Sequence, residues 1–555
     1  MAKLVLGPVL RYVGETSATV WVETDTPCEV EIAGGTASTF TVAGHHYALV
    51  VVDGLAPGTS TEYRVHLDGE QVWPPPGHPF PPSRIRTLPA GSRRLRLLFG
   101  SCRAAKHNPP EARDEPDRLG PDALDAYAAR MATLPEEEWP DMLLLLGDQV
   151  YADEPTPHTQ EWLRRRHQGT PRPDTEVVDF VEYAHLYHET WSDPEVRWLL
   201  STVPTSMIFD DHDVRDDWNT SATWRRQMAT LPWWRDRIRG ALSSYWVYQH
   251  LGNLDPAALA ADETYAAVRR AGAEGRDALP VLLDLADRAD SERDGHKGTR
   301  WSFRRDLGSA RLLVVDTRCG RILEGGRRSM LGDEEFAWLE RNAEGDYDHL
   351  LVGSSLPWIL PHVISHLQSL NEVACRRPGW RGRVAEWLRQ LGDLEHWPSF
   401  RASFDRLTRL VRRVAEGRAG ERPPATVCVL SGDVHHSYLA DVHLSERPDT
   451  ARVVQLTCSP VHNEPPRYFR PLFRIGWSRP LGRLAERWAR RAGVPPLPLR
   501  WTKLGGPYFG NMIGLLTLDG PRAEVTLEQA LPGRDPGGGR NGRLAEVVRL
   551  PLTGR

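Results

Sequence analysis

The chain has 555 residues, with 69 Lys and Arg against 74 Asp and Glu and a formal net charge of −5. That balance excludes the strongly basic character of a general nucleic-acid binder, and no specific nucleic-acid partner is expected. Hydrophobic residues at 40% and charged residues at 26% are those of a soluble globular protein long enough for more than one domain. No stretch approaches the roughly 18 apolar residues of a membrane span. Met1 to Pro8 enter strand-like sequence at once, without the apolar core or cleavage site of a signal peptide. The expected location is cytoplasmic, with a secreted or cell-envelope location only if a leader has been removed. The six cysteines are scattered and lack the spacing of a disulfide framework. Cys28, Cys428 and Cys458 read as small buried hydrophobes, whereas Cys102 follows Gly-Ser at a strand end.

Residues 1–90 read as a small all-β domain, because Ala18–Glu23 and Tyr63–Leu67 carry β-branched or aromatic residues in near alternation. Leu55 to Tyr63 resembles the turn and tyrosine corner of immunoglobulin-like and fibronectin type III sandwiches, in which the Tyr hydroxyl bonds back to nearby backbone. The Pro-rich stretch Trp73–Pro82 is a surface loop, and Pro89–Ser92 marks the domain boundary. Residues 91–532 then alternate strands with helices and form one α/β domain. Pro121–Met131 and Asp333–Arg341 have helical spacing, and Leu312–Val315 and Leu350–Val352 are buried strands. Two helical insertions are expected at about 218–300 and 467–500. Arginines greatly outnumber acids in the second, which reads as a solvated helix face or, more sharply, as a membrane-surface or anionic-substrate contact. Residues 533–555 are a Gly/Arg-rich tail and a final segment.

Four apolar runs end abruptly at residues able to bind metal. Leu95–Phe99 meets Gly100-Ser101-Cys102, and Met142–Leu146 meets Gly147-Asp148-Gln149-Val150-Tyr151. Met207–Phe209 meets Asp210-Asp211-His212-Asp213, and Val427–Leu430 meets Ser431-Gly432-Asp433-Val434-His435-His436. Short apolar runs bounded by turn residues are buried strands, and α/β sheets bind ligands beyond the carboxyl ends of such strands. Asp148 can bridge two cations with its two oxygens, and a Tyr151 phenolate is a hard donor suited to Fe(III). Three carboxylates and an imidazole at positions 210–213 repel one another unless cations or hydrogen bonds offset the charge. Gly432 permits the tight turn that projects Asp433 and His435 to the same edge, with His436 turned away.

In this order the four blocks resemble the signatures of the alkaline phosphatase D (PhoD)-like family of metallophosphoesterases, within the calcineurin-like and purple acid phosphatase-like superfamily. The resemblance covers most of the chain. It implies a four-layer α/β sandwich preceded by the immunoglobulin-like domain, and a centre of Fe(III) plus a second divalent metal, calcium foremost, with zinc or manganese as alternatives. By position it assigns Cys102, Asp148 and Tyr151 to the iron, Asp148 to the bridge and Asp211 to the second metal. It assigns His212 to the phosphate, with Asp433 and His435 completing the shell and His435 on the iron. Two departures are visible. Met1–Pro8 do not read as the twin-arginine leader that many secreted members carry, and Gly353–Trp358 stands where the superfamily often has a His. His362 and His366 are the available substitutes and stay unassigned.

The implied reaction is hydrolysis of a phosphate ester by in-line attack of a metal-bridging hydroxide, with His212 stabilising the developing charge or protonating the leaving oxygen. Arg103 can clamp a phosphate oxygen or form a salt bridge at the sheet edge. Arg215 and Arg318 are weaker candidates for that clamp, and Trp218 and Trp358 are core residues before they are pocket walls. The alternatives are a phosphodiesterase or phospholipase-D-like activity on lipid or cell-wall polymer, and a non-catalytic surface-binding protein with a structural metal site.

Overall fold

The computed structural model describes residues 1–107, 117–292, 298–324, 328–444, 450–533 and 542–553. At the amino terminus, Leu4–Val13, Ser17–Thr24, His45–Asp53 and Phe40–Val42 form an antiparallel sheet in that order. A second sheet has the order Gly35–Ser38, Glu29–Ile32, Val65–Leu67, Glu70–Trp73, and Ser60–Glu62 pairs with Arg84–Arg86. Alternation along the central strands serves two cores. Ala18, Val20, Val22, Ala48, Val50 and Val52 fill the space between these sheets, while Trp21, Tyr47 and Leu49 point into the core of the following domain. Full burial of a side chain such as Leu49 contributes about 1.5–3 kcal/mol, so both faces of these strands stabilise the structure.

Polar ties fix the junction. The buried Arg11 guanidinium donates to the carbonyls of Thr205 at 3.0 Å, Tyr248 at 2.6 Å and Gln249 at 2.5 Å. Tyr63 departs from the expected corner. Its hydroxyl donates to the carbonyl of Ser201 at 2.5 Å, in the helix Pro194–Thr202, because the domain junction brings that acceptor to the buried phenol.

The second domain has two sheets. The first has the order Thr205–Ile208, Met142–Leu146, Arg94–Gly100, Met512–Asp519, Arg522–Leu531, Arg543–Pro551. The second runs Phe303–Leu307, Ala310–Val315, His349–Ser354, Thr426–Ser431, Arg452–Thr457, Ser437–His443, Arg500–Tyr508. The sheets face each other across one core. A Cβ on Gly353 of the second sheet would lie 3.2 Å from Leu146 of the first. Alternate residues of the second sheet obey this packing: Leu312, Val314, Leu351, Cys428 and Leu430 face the first sheet, and Leu313, Val315, Leu350, Val352, Val427 and Val429 face outward. The helices Asp333–Asn342 and Arg401–Ala415 cover that outer face, and Ala123–Met131 covers the first sheet. The result is a helix–sheet–sheet–helix sandwich. Its central strands are apolar on both faces, which is why they read as continuous runs rather than alternating ones.

The first expected insertion contains five α-helices between Ala222 and Asp290, and the second contains Arg470–Gly476 and Arg479–Arg491. Further helices occupy 157–202 and 362–415. Arg543–Pro551 is an edge strand of the first sheet, so the expected tail contributes to the catalytic domain. Most of its Gly/Arg-rich part, 534–541, lies outside the described residues.

Candidate metal centre

Arg94–Gly100, Met142–Leu146 and Thr205–Ile208 are mutually parallel neighbours, as are the strands flanking Thr426–Ser431 on both sides. Their carboxyl ends meet at one edge of the sandwich. There the backbone turns sharply. Cys102, Asp148, Asp433 and His435 have φ of 57°, 49°, 67° and 48°, a left-handed conformation that costs a non-glycine residue on the order of 1–3 kcal/mol. Gly147 has φ 108°, and a Cβ there would approach the Asp210 Cβ to 2.6 Å. The Asp213 carboxylate ties two loops together by accepting the amides of Asp148 at 3.0 Å, Gln149 at 3.3 Å and Asp210 at 2.9 Å. Packing thus offsets strain that four side chains require to face one point.

The donor atoms of Cys102, Asp148 and His435 lie within 4.8 Å of one another, and so do those of Asp148, Asp210 and Asp211. Asp148 belongs to both groups. Its Oδ1, the Oδ2 of Asp210 and the Tyr151 hydroxyl are buried without a hydrogen bond of ordinary geometry, although Asn463 lies near the phenol. Buried polar atoms are normally paired, because leaving one unpaired costs about 1–3 kcal/mol. Carboxylate and phenol oxygens with unmet valences, with a thiol and an imidazole beside them, fit a metal ion better than an internal hydrogen-bond network.

The electrostatics agree. Burial, with the charges of Asp148 and Asp433, pushes the Cys102 thiol well above its ordinary pKa. Burial likewise pushes Asp148 far up, helped by Asp211, Asp213 and Asp433 and opposed by His212. Tyr151 moves up through burial and the charges of Cys102 and Asp148. A cation at this point reverses all three shifts. His435 is held down to about 4 by burial and by His212, with Asp433 opposing, so its imidazole is neutral and able to ligate. Burial raises Asp433, but His396, Arg318 and His435 outweigh it and hold this carboxyl well below its usual range.

His212 sits over Tyr151, with ring centroids 4.7 Å apart. Its Nδ1 hydrogen-bonds Asp153 at 2.9 Å. Burial alone lowers the imidazole pKa, but Asp153, Asp211 and Asp148 together hold it well above the ordinary value. The structure therefore brings Cys102, Asp148, Tyr151, Asp211, His212, Asp433 and His435 to one edge. His436 turns away, bonding the Val434 carbonyl at 2.7 Å and stacking on Phe473.

Arg103 does not face this edge. Its buried guanidinium bonds Asp122 at 2.9 Å and the Thr190 carbonyl and hydroxyl at 2.8 and 2.9 Å, so the salt-bridge reading replaces the phosphate clamp. Arg215 pairs with Glu176 at 3.4 Å and lies over Trp233. Trp218 and Trp358 are buried in core clusters. His362 and His366 pack beside Trp501, so neither replaces the absent superfamily His.

Four residues were missed or undervalued by sequence reasoning. Arg318 is fully buried among the acids, bonding Asp210 and Glu395 and lying 3.2 Å from Asp211 and 3.5 Å from Asp433. Its donors are committed to these groups, which makes it an internal counter-charge. Glu395 also holds Arg321 at 3.0 Å. The neighbouring His396 reaches Asp433 at 2.9 Å and Gln368 at 2.9 Å. Asp153, two positions after Tyr151, was the one with a readable signal: an acid next to the Gly147–Tyr151 block.

A helix–sheet–sheet–helix sandwich with these donors at the carboxyl ends of its parallel strands defines a metallophosphoesterase. The family model described as PhoD-like phosphatase matches residues 123–471, and the chain belongs to that family. A domain of unknown function matches residues 1–85. The solved structure of PhoD shares the fold, with a TM-score of 0.57 and 14% identity over 99% of this chain and 90% of that one. The purple acid phosphatase PPD1 isolated from yellow lupin (Lupinus luteus) seeds aligns with a TM-score of 0.42 and 10% identity, over 98% of this chain and 74% of that one. No curated protein matches the sequence.

Proposed function

We propose that this phosphatase hydrolyses phosphoric esters at the strand-end centre, with Cys102, Asp148, Tyr151 and His435 holding iron(III). Asp148 and Asp211 would hold a second divalent metal, calcium foremost, and Asp433 would complete the donor set. The observation that carries the reading is the shared position of Asp148, whose Oδ1 is buried and unpaired between two donor groups. When bound, the metals supply Lewis acidity and neutralise charge on a phosphoryl group. The chain's own contribution is positioning. Asp153 accepts from Nδ1 of His212, fixes the ring and keeps it protonated, which leaves the Nε2 proton for a phosphate or leaving-group oxygen. Arg318 holds Asp210, Asp211 and Asp433 in register and offsets their mutual repulsion.

The test is turnover of aryl phosphate mono- and diesters by full-length protein purified without chelators, beside His212→Asn. Turnover that falls at least about 100-fold in the variant, with metal content unchanged, supports the assignment. Metal-loaded wild type that turns over no aryl phosphate ester, with iron and calcium added, overturns it in favour of a structural metal site.

A further inference from the structure

Apart from Met1, the well-exposed large hydrophobic side chains of the described residues all lie within 367–391 and 468–488. The helix Trp380–Leu391 buries Gly382, Ala385 and Arg389, the last paired with Glu386 at 2.9 Å, and exposes Trp380, Val384, Trp387, Leu388 and Leu391, with Trp380 64% and Trp387 60% accessible. The helix Arg479–Arg491 repeats this arrangement. It buries Gly482, Ala485 and Ala489 and exposes Leu481, Leu484 and Trp488, the last 51% accessible. Globular helices place their large apolar residues inward. Both helices are inverted: small residues make the seam with the helix His362–Cys375, against which each packs, and the large ones form stripes towards solvent. The short helix Arg470–Gly476 adds Leu472 and Ile475, preceded by Tyr468 and Phe469.

The segments that bear these stripes are arginine-rich, with Arg376, Arg389, Arg470 and Arg490 paired to Glu372, Glu386, Glu464 and Glu486 and the rest in excess. Residues 376–391 contain five arginines to one glutamate, and 467–491 contain eight to one. Arg381, Arg383, Arg483 and Arg487 are exposed beside the apolar stripes. Between the helices His362–Cys375 and Arg479–Arg491 opens a cleft of about 610 Å³, lined by Arg479, Arg483, Arg490 and Arg500 with Glu486 as its acid. Tryptophans and leucines on one stripe with arginines beside it are the chemistry of a helix lying in the headgroup region of an anionic bilayer. The face also adjoins the metal edge, since Phe473 of the short helix stacks on His436 with centroids 4.3 Å apart.

We propose that the face formed by Trp380–Leu391 and Tyr468–Arg491 docks on an anionic phospholipid surface, seating its tryptophans and leucines among the headgroups, with the arginine cleft holding a lipid phosphate. The proposal is independent of whether the metal edge turns over phosphate esters. The competing occupant is a second copy of the chain.

The experiment is co-sedimentation of full-length protein with phosphatidylglycerol vesicles and with phosphatidylcholine vesicles, alongside light scattering of the protein alone. A monomer that sediments with phosphatidylglycerol at low salt, and is released by salt or by replacing the lipid with phosphatidylcholine, supports the proposal. Arg483→Gln with Arg487→Gln should weaken partitioning roughly thirtyfold, and Trp380→Ser with Trp387→Ser and Trp488→Ser by more than about tenfold. All five side chains are exposed, so melting temperature should stay at the wild-type value. In wild type, quenching of tryptophan fluorescence by brominated phosphatidylglycerol reads the same insertion without mutation. Absence of sedimentation with phosphatidylglycerol at low salt overturns the proposal, as does a dimer that the tryptophan substitutions dissociate.

Discussion

Among the described residues, two regions gather acids and imidazoles within 4.8 Å of one another: the strand-end edge around Asp148, and the domain junction, where Glu23 meets His45 and His188. At the junction every Glu23 oxygen is taken. His45 Nδ1 lies 2.8 Å from Oε1, while His188 Nε2 at 2.8 Å and the Tyr248 hydroxyl at 3.0 Å share Oε2. At the edge, Asp148 Oδ1, Asp210 Oδ2 and the Tyr151 hydroxyl have no such partner, and the backbone beneath Asp148 is left-handed. Both carboxylates are buried, yet their shifts oppose. Burial raises Glu23, but His188 and His45 outweigh it and lower its pKa. Burial raises Asp148, and neighbouring carboxylates push it further. Composition is shared between the two regions; unmet polar valence and stored strain are not. The edge has the features of a cation site, and the junction those of a tie between two domains.

The sharpest way to break this comparison is Asp148→Ala. It should abolish binding of the second metal and cut turnover more than about 100-fold, while the metal-free protein melts no lower than wild type because a repelled buried carboxylate has gone. Metal analysis and calorimetry read both outcomes. Asp153→Asn comes next. It should lower turnover about 10–100-fold with metal content retained, because it releases the His212 ring rather than a metal donor. A pH–rate profile should also show the loss of the protonated imidazole at lower pH than in wild type.

Glu23→Gln should leave metal content and turnover unchanged and cost about 1.5–3 kcal/mol of stability, the worth of hydrogen bonds to a charged group. Denaturant unfolding at neutral pH measures it. The smallest effect is its pH dependence. Glu23 has a lowered folded pKa, so its contribution is fully present above the ordinary glutamate pKa of about 4.3 and is lost as pH falls through the folded value. The wild-type advantage over Glu23→Gln should therefore shrink on acidification below about pH 4. In metal-free protein Asp148 behaves oppositely. Its raised pKa makes its contribution to stability unfavourable above the folded value, and protonation relieves it as pH falls towards the ordinary range.

The strand ends were legible in sequence because a buried parallel strand is a local apolar run and its terminal loop follows directly. Cys102, Asp148, Tyr151, Asp211, His212, Asp433 and His435 each lie within five residues of such a run. Residues brought in by tertiary packing left no comparable mark. Glu395 and His396 come from a segment between helices and meet Arg318 and Asp433 only in the fold. Arg103 is adjacent to Cys102 in sequence, but strand geometry turns it towards Asp122. Tyr63 sits in a corner-like local motif, and its hydroxyl partner belongs to the other domain. Arg543–Pro551 escaped notice because an edge strand interrupted by exposed Arg543, Glu546 and Arg549 lacks an apolar run.

The most direct test is elemental analysis with a visible spectrum of full-length protein purified without chelators, taken in parallel for wild type, Asp148→Ala and Glu23→Gln. The expected result is iron with a second divalent metal in wild type and in Glu23→Gln, and a visible band that Tyr151→Phe shifts or bleaches. Asp148→Ala should lose the second metal. A metal-free or colourless zinc-bound wild type, or metal lost from Glu23→Gln and kept by Asp148→Ala, would contradict the account.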